Sequence, residues 1–120
     1  MKQVCSENDV QAAIVDYLRT IRRKTVKQTN LATKKIIADP GVPDLIITDD
    51  WYPIGCWLGL ELKRPEVKYG NKVVQKRGTP SNEQKALEAR GRIVIVDSIE
   101  GAAVALDLFE AAMARIGAAQ

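Results

Sequence analysis

Histidine is absent from the 120 residues. Its absence removes the usual zinc sites and any Ser-His or Cys-His nucleophile pair. Cysteine is scarce: Cys5 and Cys56 lie far apart, so no disulfide framework is expected and a reduced setting is the default. No apolar run approaches the length of a membrane span. The opening MKQVCSEND lacks the apolar segment of a secretory signal. These absences point to a cytoplasmic protein with no membrane partner. No internal repeat or linker-like stretch divides the chain, so the expectation is one domain over 1–120 with a single core.

The chain does carry charge, and its distribution is informative. Residues 1–40 hold eight Lys/Arg against four acids, and 66–92 hold seven against three. Between them, 41–65 hold two against four. Two basic segments flank an acidic one, an arrangement suited to a polyanion held around a metal-binding centre. The competing reading is a solvated surface of uneven charge.

Hydrophobic periodicity predicts a helix over Ser6–Lys24, with Val10, Ile14, Tyr17, Leu18 and Ile21 on one face. Ser6 and Asp9 form a capping-box-like pair, and Arg22, Arg23 and Lys24 fall in the last turn, where the helix dipole favours cations. A strand is expected over Thr25–Leu31 and a loop over Thr33–Pro43. Asp44–Thr48 and Gly55–Lys63 read as the two strands of a hairpin, turning at Asp49–Pro53. Pro65–Gly78 is polar and basic and reads as a loop or short ribbon. A second helix starts at Thr79-Pro80, with Thr79 as cap, and stops at Gly91. Arg92–Asp97 is a buried strand, and Ser98 caps an Ala-rich helix to about Ile116. The order is α-β-β-β-α-β-α, an α/β fold with a central mixed β-sheet flanked by helices.

The stretch GVPDLIITDDWYPIGCWLGLELKRP concentrates the chemistry. Alternation along WLGLELK puts Leu58, Leu60 and Leu62 on a core face, with Trp57, Gly59, Glu61 and Lys63 on the other. Glu61 and Lys63 then point together, about 7 Å apart. A hairpin brings Asp44 level with them. Two carboxylates side by side repel, and one takes up a proton unless a cation intervenes. A Mg²⁺ ion turns them into hard oxygen ligands and polarises a phosphoryl oxygen, which is the chemistry of phosphodiester hydrolysis. Taken singly, Glu61-x-Lys63 also reads as an exposed charge pair and Pro43-Asp44 as a turn feature.

Pro43-Asp44, sixteen intervening residues and Glu61-Leu62-Lys63 resemble the PD-(D/E)xK nuclease motif. More narrowly, Gly41-Val42-Pro43-Asp44-Leu45, Glu61-Leu62-Lys63-Arg64-Pro65 and Ser81-Asn82-Glu83-Gln84 followed by Leu87 and Gly91 resemble the VRR-NUC branch, whose small stand-alone members occur in phages and bacteria. The resemblance covers nearly the whole chain. It implies a restriction-endonuclease-like core and a Mg²⁺- or Mn²⁺-dependent endonuclease working as a homodimer on branched DNA such as Holliday junctions. Flaps or forks are alternative targets, and a non-catalytic nucleic-acid-binding module is an alternative role. On this resemblance Asp44 and Glu61 are metal ligands with the Leu62 backbone carbonyl. Lys63 positions the water or stabilises charge, Gln84 orients the water or Lys63, and Glu7 reaches the metal through water. Asp9 is an alternative acid near Glu7.

Around such a centre, Lys68, Lys72, Lys76 and Arg77 on one side and Arg22, Arg23, Lys24, Lys34 and Lys35 on the other would form the walls of a phosphate track. No base-reading pattern is present, which favours backbone and shape contacts. Tyr69 and Trp51 read either as base-stacking groups or as shields for the sheet ends.

Overall fold

The computed structural model describes residues 6–29, 42–91 and 93–119. Helix α1 (Glu7–Asp16) begins with a closed capping box: the Ser6 hydroxyl accepts from the Asp9 amide, and the Asp9 carboxylate accepts from the Ser6 amide. The helix then loosens into a π-helical turn at Tyr17–Ile21, where the Arg22 amide donates to the Tyr17 carbonyl. The wider turn shifts the phase of the apolar stripe. Val10, Ile14 and Leu18 stay in the core, but Ile21, expected on the same face, is 67% exposed. Arg23 takes a left-handed φ of 59° and stops the helix. Arg22, Arg23 and Lys24 therefore follow the helix instead of forming its last turn.

Strands β1 (Thr25–Gln28), β2 (Leu45–Thr48), β3 (Leu58–Leu62) and β6 (Val94–Val96) form one sheet in the order β1-β2-β3-β6. The first two pairings are antiparallel and β3 with β6 is parallel, a mixed sheet as expected. A parallel neighbour requires a crossover of a dozen or more residues. Residues 63–93 supply it and hold two further elements. The first is a two-stranded antiparallel ribbon of β4 (Val67–Tyr69) and β5 (Lys72–Gln75); the second is helix α2 (Asn82–Ala89). The Pro65–Gly78 stretch is thus a ribbon, one of the two expected forms. Helix α3 (Ile99–Ala119) closes the chain and runs slightly beyond the expected Ile116. No helix among the described residues is long and apolar enough to cross a membrane.

Alternation along β2 and β3 sends Leu45, Ile47, Leu58, Leu60 and Leu62 to one face. There they form a single core with Val10, Ile14, Val15 and Leu18 of the first helix and Ala102, Ala105 and Leu106 of α3. Strand β3, with neighbours on both sides, is buried along its whole length. Glu61 lies on the opposite face, beneath α2.

Helix α2 begins two residues later than predicted. Ser81, not Thr79, is its cap, and Ser81 with Gln84 forms a second capping box. A cap that bonds in both directions with the residue three places on satisfies two orphan amides; for Ser81 that residue is Gln84, whereas a Thr79 start would offer the shorter Asn82.

Candidate active site

The register of β2 against β3 pairs Leu45 with Leu60, so the next step outward sets Asp44 against Glu61. Three local features hold Asp44 there. Thr29 continues the β1 ladder by one residue, its amide donating to the Asp44 carbonyl at 2.9 Å. The Thr29 hydroxyl donates to the Pro43 and Asp44 carbonyls. The buried Pro43 ring sits against Gly59, where a Cβ would approach Pro43 Cγ to 2.9 Å. The room beside Gly59 is thus occupied by the proline that precedes Asp44. The Asp44 carboxylate then turns inward, and Oδ2 accepts the Leu62 amide at 2.8 Å. A strand residue directs its N–H and C=O to the same edge, so the Leu62 carbonyl also faces the Asp44 side.

Glu61 is 8% exposed. It shares a hydrogen bond with Asp44 and accepts a second from Gln84 Nε2 at 2.7 Å. The α2 capping box fixes the sense of that contact. Gln84 Oε1 accepts the Ser81 amide at 3.0 Å, which leaves the Gln84 amino group to face Glu61. Burial, then the charge and hydrogen bond of Asp44, push the Glu61 carboxyl up to about 8, against a partial pull from Lys63. Asp44 and Glu61 thus form a close carboxylate pair in which the Glu61 carboxyl resists ionisation.

Lys63 leaves the end of β3 with its amide bonded to the Val96 carbonyl at 3.0 Å. Its side-chain stem runs beside Gly78, where a Cβ would lie 3.4 Å from Lys63 Cβ and Cδ. Glu7, on the exposed first turn of α1, belongs to the same electrostatic group. Partial burial lifts its carboxyl, Lys63 opposes that, Asp44 lifts it further and Arg64 opposes it. Asp9 is spoken for by the Ser6 cap, which holds its carboxyl low. Asp44, Glu61, Leu62, Lys63, Gln84 and Glu7 therefore gather at one end of the sheet. Among the described residues, no three or more His, Cys, Asp or Glu side chains group closely enough to hold a metal ion. The gathered acids amount to one close pair, with Glu7 further out.

The basic residues divide. Lys68 and Lys72 lie on the ribbon, and Lys76 and Arg77 on the return toward Lys63. There the Arg64 guanidinium donates to the Lys76 carbonyl and the Gly78 amide to the Arg64 carbonyl. Arg77 pairs with Asp97 at 2.9 Å. Arg22 and Lys24 are brought elsewhere. Thr25 pairs with Thr48, at the other end of β2 from Asp44, about 13 Å along the strand. At that end Lys24 lies between Asp49 and Glu110, and Arg22 pairs with Asp107. These side chains are engaged in ion pairs within the fold, not in a wall beside Asp44. Arg23, between them, is exposed at the helix stop. Lys34 and Lys35 lie outside the described residues.

The site depends on Thr29, which the sequence reading did not single out, and on Ser81, which it quoted within the Ser81–Gln84 motif but not as a cap. Ser81 had a signal, a Ser three residues before a Gln. Thr29 had none, because its partners sit across the sheet.

Comparison with known proteins gives no match: no family model, no curated protein and no solved structure matches this chain.

Proposed function

We propose that this chain is a divalent-metal-dependent endodeoxyribonuclease with a restriction-endonuclease-like core of the PD-(D/E)xK, VRR-NUC-like type, selective for branched DNA and dimeric. One observation carries the reading: two carboxylates, Asp44 and Glu61, meet on adjacent strands in a partly buried place, next to Lys63. Two carboxylates this close repel, and a divalent cation between them would relieve that repulsion. The donor set is oxygen only, which suits Mg²⁺ or Mn²⁺, ions that retain several waters and need few protein ligands.

In this reading Asp44, Glu61 and the Leu62 carbonyl would hold the ion, and Glu7 would contribute through water. When bound, the ion supplies Lewis-acid polarisation of the phosphoryl oxygens. The chain's own groups do the rest. Lys63 presents an ammonium to the attacking water and to the charge that develops on phosphorus. Gln84 keeps the Glu61 carboxylate turned toward Asp44. Water adds to phosphorus, the bond to the 3′ oxygen breaks, and a proton passes to that oxygen, leaving a 5′-phosphate.

The test is cleavage of a labelled four-way junction in Mg²⁺. Asp44→Ala, Glu61→Ala and Lys63→Ala should each reduce the rate by about a thousandfold or more, while binding without the ion stays near that of the parent. Cutting by all three variants at the parent rate would end the proposal.

A further inference from the structure

The β4–β5 ribbon has no evident structural purpose. Neither strand packs extensively on another element, and most of its side chains are exposed. An isolated two-stranded ribbon is only marginally stable in water. This one is held at its base. Gln75, buried, donates from Nε2 to the Pro65 carbonyl at 2.7 Å, and the Lys76–Gly78 return is bonded to Arg64. The anchor points thus begin directly after Lys63, so the ribbon is fixed to the strand that carries Glu61 and Lys63.

Its tip is narrow. Tyr69 pairs across to Lys72 through the two-residue turn Gly70-Asn71, with Gly70 at a φ of 64°. Glycine in the first central position suits the tight turns that match the strand twist. Tyr69 is the large side chain nearest the turn and is 77% exposed. Its cross-strand partner is a lysine on the same face. Residues 66–77 carry four cations, Lys68, Lys72, Lys76 and Arg77, against one acid, Glu66. The Lys68–Glu66 contact, 3.6 Å between exposed side chains, is weak enough for a phosphate to displace. An aromatic ring beside a lysine on one face of a slender support, with a second lysine on the other face, complements a nucleic-acid strand, with stacking for a base and cations for its phosphates.

We infer that this ribbon is a DNA-probing arm in which Tyr69 stacks on an unpaired base, Lys72 on the same face holds a flanking phosphate, and Lys68 on the opposite face holds the backbone on the other side. The position of the cut relative to the arm rests on the nuclease reading above. Tyr69 lies six positions beyond Lys63, a reach of at most about 20 Å, or roughly six nucleotide steps of duplex. The arm therefore makes unpaired DNA close to the cut the preferred substrate.

The experiment measures binding by fluorescence anisotropy without divalent ions. The probes are a perfect duplex and the same duplex with a short unpaired stretch. Tyr69 is too exposed for its loss to unfold the chain. Tyr69→Ala should lose about tenfold in affinity for the unpaired probe and less than twofold for the perfect duplex. The double variant Lys68→Ala/Lys72→Ala should lower the slope of log affinity against log salt by about two. Equal affinity of Tyr69→Ala and parent for the unpaired probe overturns the arm. Cleavage is scored separately in Mg²⁺. A parent that binds through Tyr69 but does not cut overturns the nuclease reading and keeps the arm. A parent that cuts, with Tyr69→Ala binding unchanged, does the reverse.

Discussion

The two ends of strand β2 both collect charge, and they resolve it in opposite ways. At the Thr48 end, Lys24 Nζ contacts Asp49 at 2.6 Å and Glu110 at 2.5 Å, and the Tyr52 hydroxyl donates to Glu110 at 2.8 Å. Burial pulls the Lys24 ammonium down, but the two carboxylates outweigh it and hold it above its ordinary value. The hydrogen bond from Lys24 is the largest influence keeping Asp49 low. The Tyr52 ring stands edge-on to Trp51 and Phe109 and roofs the cluster. Every charge there has its counter-charge within the chain. At the Asp44 end acid meets acid, and the Glu61 carboxyl resists ionisation. A self-balanced cluster stabilises the fold. A close pair of acids in a partly buried place lowers stability, and an external cation would relieve it.

That contrast is sharpest in substitutions that remove one charge from each end. The Lys24 side chain is 8% exposed, so Lys24→Ala leaves Asp49 and Glu110 facing one another with little water. The expected loss is about 2–3 kcal/mol in urea denaturation, somewhat below a fully buried pair because both acids keep some solvent. Glu61→Gln makes the opposite change, replacing a carboxyl that resists ionisation by a neutral isostere. Stability at neutral pH should hold or rise, and any increase in melting temperature caused by Mg²⁺ should vanish. If Lys24→Ala is neutral and Glu61→Gln is the destabilising one, the roles of the two ends are reversed.

The pH dependence separates the ends by sign. The Glu61 carboxyl sits at about 8 in the fold, above its ordinary 4.5. Its contribution is complete below the ordinary value and is lost as pH rises through 8. Asp49 is held below its ordinary 3.8, so its contribution is present above that value and is lost only in acid. Between pH 6 and 8, without metal, stability should therefore fall, by about 1–2 kcal/mol. Asp44, Glu7 and Lys63 face the same site. Saturating Mg²⁺ should cancel or invert the slope, since ionised ligands bind the ion better. Melting curves of the parent and Glu61→Gln across that range measure it. Identical slopes would place the titration elsewhere.

Much of this was legible in the sequence where the signal is local. The Ser6–Asp9 cap, the Asp44–Lys63 hairpin and the facing of Glu61 away from Leu60 and Leu62 follow from period and spacing alone. The site was legible because its strand residues are fixed by one register. What was not legible depends on contacts between distant segments. The π-helical turn that exposes Ile21 changes no residue type and leaves no pattern. Arg22 and Lys24 look like other surface cations until Asp107 and Glu110 of α3 arrive beside them. Ser81 had its capping box in plain sequence, but Thr79-Pro80 offered a competing start, and the bond from Gln84 to Glu61 adds a tertiary reason for the later one.

The smallest expected effect tests how the Asp44 end is built. At the other end of β2 the side chains are fixed by ion pairs; here Asp44 is aimed by packing, through Pro43 on Gly59. A Cβ at Gly59 would meet Pro43 Cγ at 2.9 Å and Trp57 Cζ3 at 3.0 Å. The backbone angles at Gly59 are ordinary for a strand, so Gly59→Ala carries no conformational strain of its own. Its effect is the displacement of Pro43. The stability loss should be about 1 kcal/mol, at the low end for overpacking, because the Trp57 ring is half exposed and can move aside. Pro43 cannot move without carrying Asp44, and a misplacement of even 1 Å at a reacting centre costs about a hundredfold in rate. Gly59→Ala should therefore lower cleavage far more than stability, whereas Lys24→Ala should lower stability with cleavage of the folded fraction intact. Equal, proportionate losses in both variants would mean that Pro43 and Gly59 only fill space, and that Asp44 is aimed by its bonds to Thr29 and Leu62 alone.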